Sequence, residues 1–159
     1  MRLARNTAVM HGPLPQEEFD AIFSRVPRLT VELVAHATRG VLLQLRQGGP
    51  CSGLWSLPGG TVRFGEPLRD AVSRVARDEL GLEVIVREHL GFIEYPSHYE
   101  SGLDSPVGIA FAVEFQAGAA DPPHCQWFTE LPLSMHDEQR VFLTGLSAPA
   151  AEAVPDPAA

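Results

Sequence analysis

The sequence predicts one domain of mixed α/β class, on three observations. Its 159 residues match the length of one ordinary domain and can enclose a single hydrophobic core without disulfide staples. Segments with apolar residues at helical spacing alternate along the chain with short β-prone runs. No internal repeat is present, so a stacked or propeller architecture is not indicated.

Residues 1–13 show no clear periodicity, and the first element is a short amphipathic helix over about 15–25. There Phe19, Ile22 and Phe23 fall at helical spacing behind Pro15, a residue suited to a first turn. Residues 29–37 and 41–46 are apolar, partly β-branched runs parted by Thr38-Arg39-Gly40, the pattern of a β-hairpin. A turn-rich loop over 47–53 leads to a short strand, 54–57, ended by Pro58-Gly59-Gly60. The glycine-free stretch 66–80, with Gly81 placed to stop it, predicts a helix. Extended segments are expected at 82–86 and 90–95, a polar loop at 97–106, a strong strand at 107–115, a short strand closing at Trp127-Phe128, and a last helix at 137–143. The domain is expected to occupy 1–146, with 147–159, almost wholly Ala, Pro, Asp and Glu, as a disordered tail.

Twelve basic residues, all arginine, oppose 20 acidic ones for a net charge of −8. Such a field repels a nucleic-acid backbone, so nucleic-acid binding is not expected. It also leaves any phosphate-rich ligand dependent on local arginines or a divalent cation. The two cysteines, Cys51 and Cys125, lie far apart without C-x-x-C spacing. Neither a disulfide framework nor a zinc site is expected from them, and a reducing, cytoplasmic setting is the default. No apolar h-region follows the N-terminal arginines and no membrane-length apolar run occurs, so the protein is expected to be soluble, with no signal peptide or membrane span.

The informative centre begins at Gly60: five residues, Glu66, seven residues, then Arg74-Val75-Ala76-Arg77-Asp78-Glu79-Leu80-Gly81-Leu82, all introduced by Leu57-Pro58-Gly59-Gly60. Positions three and four apart share a helix face, so Val75, Asp78 and Glu79 are expected to point together. Adjacent acids without basic residues at i+4 repel one another, a cost relieved if a divalent cation bridges them to a phosphate. Mg²⁺ takes few protein oxygens, so two carboxylates and a backbone carbonyl suffice. Taken alone, Asp78 and Glu79 read equally well as a solvated acidic helix end.

The full spacing, fixed across 23 positions, resembles the Nudix box, in which Gly, five residues, Glu, seven residues, then Arg-Glu-apolar-any-Glu-Glu-any-Gly-apolar recur. The resemblance implies an α/β/α sandwich with a mixed central β-sheet, the box helix on one face and the last helix on the other. It implies the Gly59 carbonyl and Glu79 as ligands of Mg²⁺, with Mn²⁺ as an alternative, and Asp78 as a ligand or a carboxylate just behind one. Glu66 and Arg74 are implied to form an ion pair that fixes loop to helix. Val75 departs from the pattern, standing where the family has a glutamate that binds metal or prepares the attacking water. Either Val75 packs with Leu68, Ala71 and Val72 in a protein without turnover, or the chemistry needs fewer metals.

Enzymes similar to the GDP-mannose mannosyl hydrolases also lose this glutamate, and similarity to them extends over about residues 14–130. It is carried by the early Gln-Glu-Glu-Phe helix, the Arg39-Gly40 hairpin, Leu42-Leu43 before Arg46, and Gly53-Leu54-Trp55 before Leu57. That resemblance implies attack by water on the anomeric carbon of a nucleotide sugar, release of a nucleoside diphosphate and a free sugar, and a homodimer. Arg46 matches a diphosphate-contacting arginine, whereas Thr61 stands where the group carries another arginine. Glu32 corresponds, across a one-residue gap, to an acid that contacts substrate. In the loop 120–127, Asp121 aligns as a metal ligand; Pro122 occupies the position of the catalytic histidine, and His124 is offset from it by two residues. His98 is the rival base, and its neighbours Tyr95 and Tyr99 are rings on which a base or sugar could stack. Trp55 and Trp127 read as core. Three functions stay open: a nucleotide-sugar hydrolase, a pyrophosphohydrolase attacking phosphorus, and a ligand-binding module without turnover.

Overall fold

The computed structural model describes residues 13–49, 51–116 and 120–147. The expected tail beyond 147 and residues 1–12 lie outside the described residues.

The arrangement turns on strand β1, Arg28–Ala37, whose side chains alternate between two covered faces. Val31, Leu33 and Ala35 enter one core together with Ala71, Val72, Val75, Ala76 and Leu80 of the box helix, while Val34 enters a second core with Leu43, Leu57, Ile93, Tyr95 and Leu143. A strand buried on both faces has no solvent side for its polar residues, so Thr30 and Glu32 are buried as well.

Helix α1, Gln16–Phe23, precedes β1, and β2, Gly40–Leu45, returns antiparallel through the expected hairpin with Ala37 opposite Gly40. Strand β3, Trp55–Ser56, extends that edge beside β2. The glycines expected to end it instead form β4, Gly59–Thr61, which pairs with the first half of β1, Glu32 opposite Gly59. One edge of β1 is therefore shared, first by β4 and then by β2. Helix α2, Leu68–Val75, continues as a single π turn, Ala76–Leu80, and Gly81 stops it in the left-handed conformation at φ 66°. The predicted start at 66 was two residues early. Glu66 sits before the helix, its carboxylate accepting from the Arg63 backbone N–H.

Strand β5, Val84–Glu94, is continuous where two separate extended segments were expected. Its register against β6, Pro106–Phe115, shifts on either side of His89, and these irregularities accommodate the polar residues that broke the alternation. Helix α3, Pro96–Glu100, stands where a loop was expected; Pro96 at its first position supplies the fixed φ that starts it. Strand β6 runs parallel to β1 from Arg28 opposite Pro106 to Ala35 opposite Val113. Strand β7, Cys125–Phe128, pairs with β2, and α4, Asp137–Ser147, runs longer than expected over the second core. The sheet is mixed, in the order β3-β2-β1-β6-β5 with β4 on β1 and β7 on β2. Among the described residues no helix is long and apolar enough to cross a membrane.

Candidate active site

Strand β4 holds the two halves of the site together, because its glycines face in opposite directions. A Cβ on Gly60 would stand 2.9 Å from Val75 Cγ2, and one on Gly59 would stand 2.2 Å from Glu32 Oε2. Close approach of strand to helix on one side and to a buried carboxyl on the other leaves room only for hydrogen.

On the helix side, Arg74 donates to both Glu66 oxygens at 2.6 and 2.9 Å and to the Thr61 carbonyl at 2.9 Å, binding the end of β4 to α2. The Arg74 hydrogen bonds hold the Glu66 carboxyl below its ordinary range. Val75 is 1% exposed and packed in the core with Ala71 and Val72. The expectation that it shares a face with Asp78 and Glu79 is corrected: Val75 faces the core, whereas both acids, in the π turn that follows it, are exposed. Asp78 lies 3.5 Å from Arg74 and 3.9 Å from Arg63, so the acidic pair is partly balanced by a base one turn earlier rather than left unopposed. Glu79 accepts only from the neutral Gln44 amide, at 3.3 Å, and no cationic side chain pairs with it among the described residues. Asp78 and Glu79 are both exposed, and Glu79 has no cationic partner among the described residues; carboxylate oxygens of this kind suit a hard divalent cation.

On the other face, Glu32 borders a cavity of about 130 Å³ that also receives Arg28, Arg46, His98 and His136. Its Oε1 accepts from the Thr30 hydroxyl and the Tyr95 hydroxyl, both at 3.0 Å. Burial pushes the Glu32 carboxyl up to about 7, against the pull of those two hydroxyls and of Arg28 and Arg46. A carboxyl poised near neutrality can take or give a proton at physiological pH. Tyr95 is itself buried: its oxygen accepts from Gln139 at 2.9 Å, and Gln139 accepts from the Leu57 N–H at 2.7 Å. The structure thus corrects the stacking role expected of Tyr95, whose ring is covered and whose hydroxyl positions Glu32.

His98 is half-buried beside the same cavity. Its Nδ1 faces Asp104 at 2.8 Å and its Nε2 faces His136 Nε2 at 3.0 Å. Burial favours a raised Asp104, but the His98 hydrogen bond and the Arg28 charge hold it low. Burial pulls His136 below the ordinary histidine value and so keeps it neutral. Arg28 also donates to the Thr61 hydroxyl at 3.0 Å, placing a guanidinium beside the position where the resembling enzymes carry an arginine.

Other expected residues lie apart from this cavity. Tyr99 is 55% exposed and lines a separate shallow cleft with Phe23 and Leu103. Asp121 is held by two hydrogen bonds from Arg39, at 3.0 and 2.9 Å, and one from the Trp127 indole, so it would have to surrender an ion pair to ligate metal. His124 sits in the same loop at φ 58°, its carbonyl accepting from the Leu45 N–H. Neither Asp121 nor His124 lines the cavity. Residues 28, 30, 136 and 139 were missed by sequence reasoning; only Arg28, as a cation flanking an apolar strand, left a signal there. A larger cleft of about 680 Å³, between α4 and the opposite end of the sheet, contains none of the expected residues.

Comparison with known proteins places this geometry in context. A curated relative, the low-salt glycan biosynthesis protein Agl8 of Haloferax volcanii, is 42% identical over 103 residues, 64% of this chain and 66% of that protein, so the match spans just under two thirds of its length. An ADP-ribose pyrophosphatase of Methanocaldococcus jannaschii is 27% identical over 122 residues, 73% of this chain and 71% of that one. The crystal structure of a MutT NUDIX hydrolase from Burkholderia pseudomallei superimposes with a TM-score of 0.61 at 24% identity, covering 75% of this chain and 97% of the other, a likeness of fold. The NUDIX domain model matches residues 26–140, spanning both the box and the Glu32 cavity, and the chain belongs to the Nudix hydrolase family.

Proposed function

We propose that the protein is a Mg²⁺-dependent hydrolase of a nucleotide sugar that releases a nucleoside diphosphate and the free sugar. The reading is carried by the burial of Val75, which leaves the box with two accessible carboxylates in place of a larger cluster. Family members act on small nucleotide-derived substrates and generally use divalent ions; here the Gly59 carbonyl, Asp78 and Glu79 would hold the ion. When bound, Mg²⁺ supplies charge neutralisation for a departing diphosphate. Arg46, exposed at the mouth of the cavity, and Arg28 beside Thr61 orient the diphosphate through their planar donors. Glu32, held by Tyr95 and Thr30, accepts the proton of the attacking water. The glycan biosynthesis name of the 42% identical relative agrees with a sugar-bearing substrate. A homodimer and a cytoplasmic setting belong to the same reading, and light scattering of the purified chain tests the former.

A second reading, hydrolysis at phosphorus, is favoured by the ADP-ribose pyrophosphatase relative. Turnover in ¹⁸O-labelled water separates the two. Label in the free sugar, with unlabelled nucleoside diphosphate, is expected. A labelled nucleoside monophosphate together with a sugar phosphate overturns the carbon-attack reading.

A further inference from the structure

Cys51 follows β2 in a loop, His98 lies on α3, and His136 lies just before α4, yet their side chains meet at one end of the Glu32 cavity. The Cys51 sulfur and one ring nitrogen of each histidine lie within 4.8 Å of one another. Two of the separations are 3.0 Å, between the two Nε2 atoms, and 3.7 Å, from the sulfur to His98 Nε2. A tetrahedral zinc ion bound through two imidazoles and a thiolate requires about 3.3 Å between nitrogens and about 3.6 Å between nitrogen and sulfur, from its ordinary bond lengths.

Each imidazole is backed on its far side by a carboxylate, Asp104 at 2.8 Å from His98 Nδ1 and Glu138 at 3.0 Å from His136 Nδ1. A carboxylate accepts and cannot donate, so Asp104 draws the His98 proton to Nδ1, and the negative charge of Glu138 favours the same tautomer of His136, which leaves both Nε2 lone pairs facing one another. Two lone pairs at 3.0 Å repel unless a cation stands between them. The Glu138 contact is also poorly aligned: His136 Nδ1 and Glu138 Oε2 are buried without a hydrogen-bond partner. A carboxylate behind each metal-binding histidine is the arrangement that orients such ligands and raises their basicity.

We propose that Cys51, His98 and His136 form a binding site for a thiophilic divalent cation, Zn²⁺ in the first instance, separate from the oxygen site at Asp78 and Glu79. The thiolate and two imidazoles select against Mg²⁺, whereas the carboxylates of the box select for it. Binding forms a bond from the metal to sulfur and releases the Cys51 thiol proton to solvent. Three protein ligands leave a fourth position open, and because Cys51, His98 and His136 all line the cavity shared with Arg46 and Glu32, a water or an anionic oxygen from that cavity would complete the tetrahedron.

The test uses the full chain, stripped with a chelator and titrated with Co²⁺ in the presence of excess Mg²⁺, so that the oxygen site does not compete. One equivalent of Co²⁺ is expected to produce a thiolate-to-cobalt charge-transfer band and tetrahedral visible bands, and Zn²⁺ to abolish both by displacement. Cys51→Ser should remove the charge-transfer band, while Cys125→Ser and Glu79→Gln keep it. Asp104→Asn should weaken Zn²⁺ binding by roughly 10–100-fold without removing a ligand. Absence of the band in the wild-type chain overturns the site, as does a band that survives Cys51→Ser. A proton shared between the imidazoles is the metal-free alternative. It would appear as histidine nitrogen resonances unchanged by added Zn²⁺, and that result also overturns the proposal. Circular dichroism of Cys51→Ser, a near-isosteric change in a partly exposed loop, shows whether the fold is kept.

Discussion

The carboxyl of Glu32 rests directly against the backbone of Gly59: a methyl group there would stand 2.2 Å from Oε2 and 2.8 Å from the Val31 carbonyl. The residue proposed to offer its carbonyl to a cation and the residue proposed to move a proton are thereby locked into one register, Glu32 opposite Gly59.

Gly59→Ala is expected to destabilise the domain by about 1–3 kcal/mol, since the added carbon meets backbone as well as a flexible side chain. Turnover should fall more than this loss of folded protein explains. A melting temperature within a degree or so of wild type would show that β4 can move away from β1.

Glu32 predicts a specific pH dependence. Burial pushes its carboxyl up to about 7, well above the ordinary glutamate value, so the folded state holds the proton more tightly than the unfolded chain. Its contribution to stability is fully present below the lower value and is lost as pH rises through the upper one. The loss is on the order of 3 kcal/mol. Chemical denaturation at pH 5 and pH 8.5 should therefore show wild type weakening towards alkaline pH and Glu32→Gln weakening less. In kcat/KM the wild type should rise through about pH 7 as the carboxyl ionises, and the variant should lack that limb at a much lower plateau. An unchanged limb in Glu32→Gln would assign the proton to another group.

The two acids of the π turn should separate in their response to Mg²⁺. Glu79 has no cationic partner among the described residues, whereas Asp78 is shared with Arg74 and Arg63. Glu79→Gln is expected to reduce turnover by several orders of magnitude and to blunt the Mg²⁺ dependence, while Asp78→Asn should cost less and chiefly raise the Mg²⁺ concentration needed. Equal losses in the two variants would make Asp78 as direct a ligand as Glu79.

What the sequence determined by itself was everything encoded in local period and fixed spacing. The β1–β2 hairpin at Thr38-Arg39-Gly40 and the box helix with its stop at Gly81 follow from neighbours within a few residues or a helix turn, and the Glu66–Arg74 pair follows from the fixed spacing of the box. Local reading failed where that period is broken. The irregular register around His89 made one strand look like two, and Pro96 started a helix too short to show periodicity.

The tertiary structure alone decided which groups meet and in what medium. Val75 packs inward against Ala71 and Val72 in the core and close to Gly60, while Asp78 and Glu79, in the π turn that follows, stay exposed. Asp121 was taken up by Arg39, a residue brought beside it when β7 paired with β2. Cys51, His98 and His136 carry no shared spacing, and their convergence exists only once the loops at one end of the sheet have closed over the cavity. Glu32 reads in sequence as one acid in an apolar strand. Its raised pKa arises from desolvation between two covered faces of a sheet, a long-range property to which no local pattern corresponds.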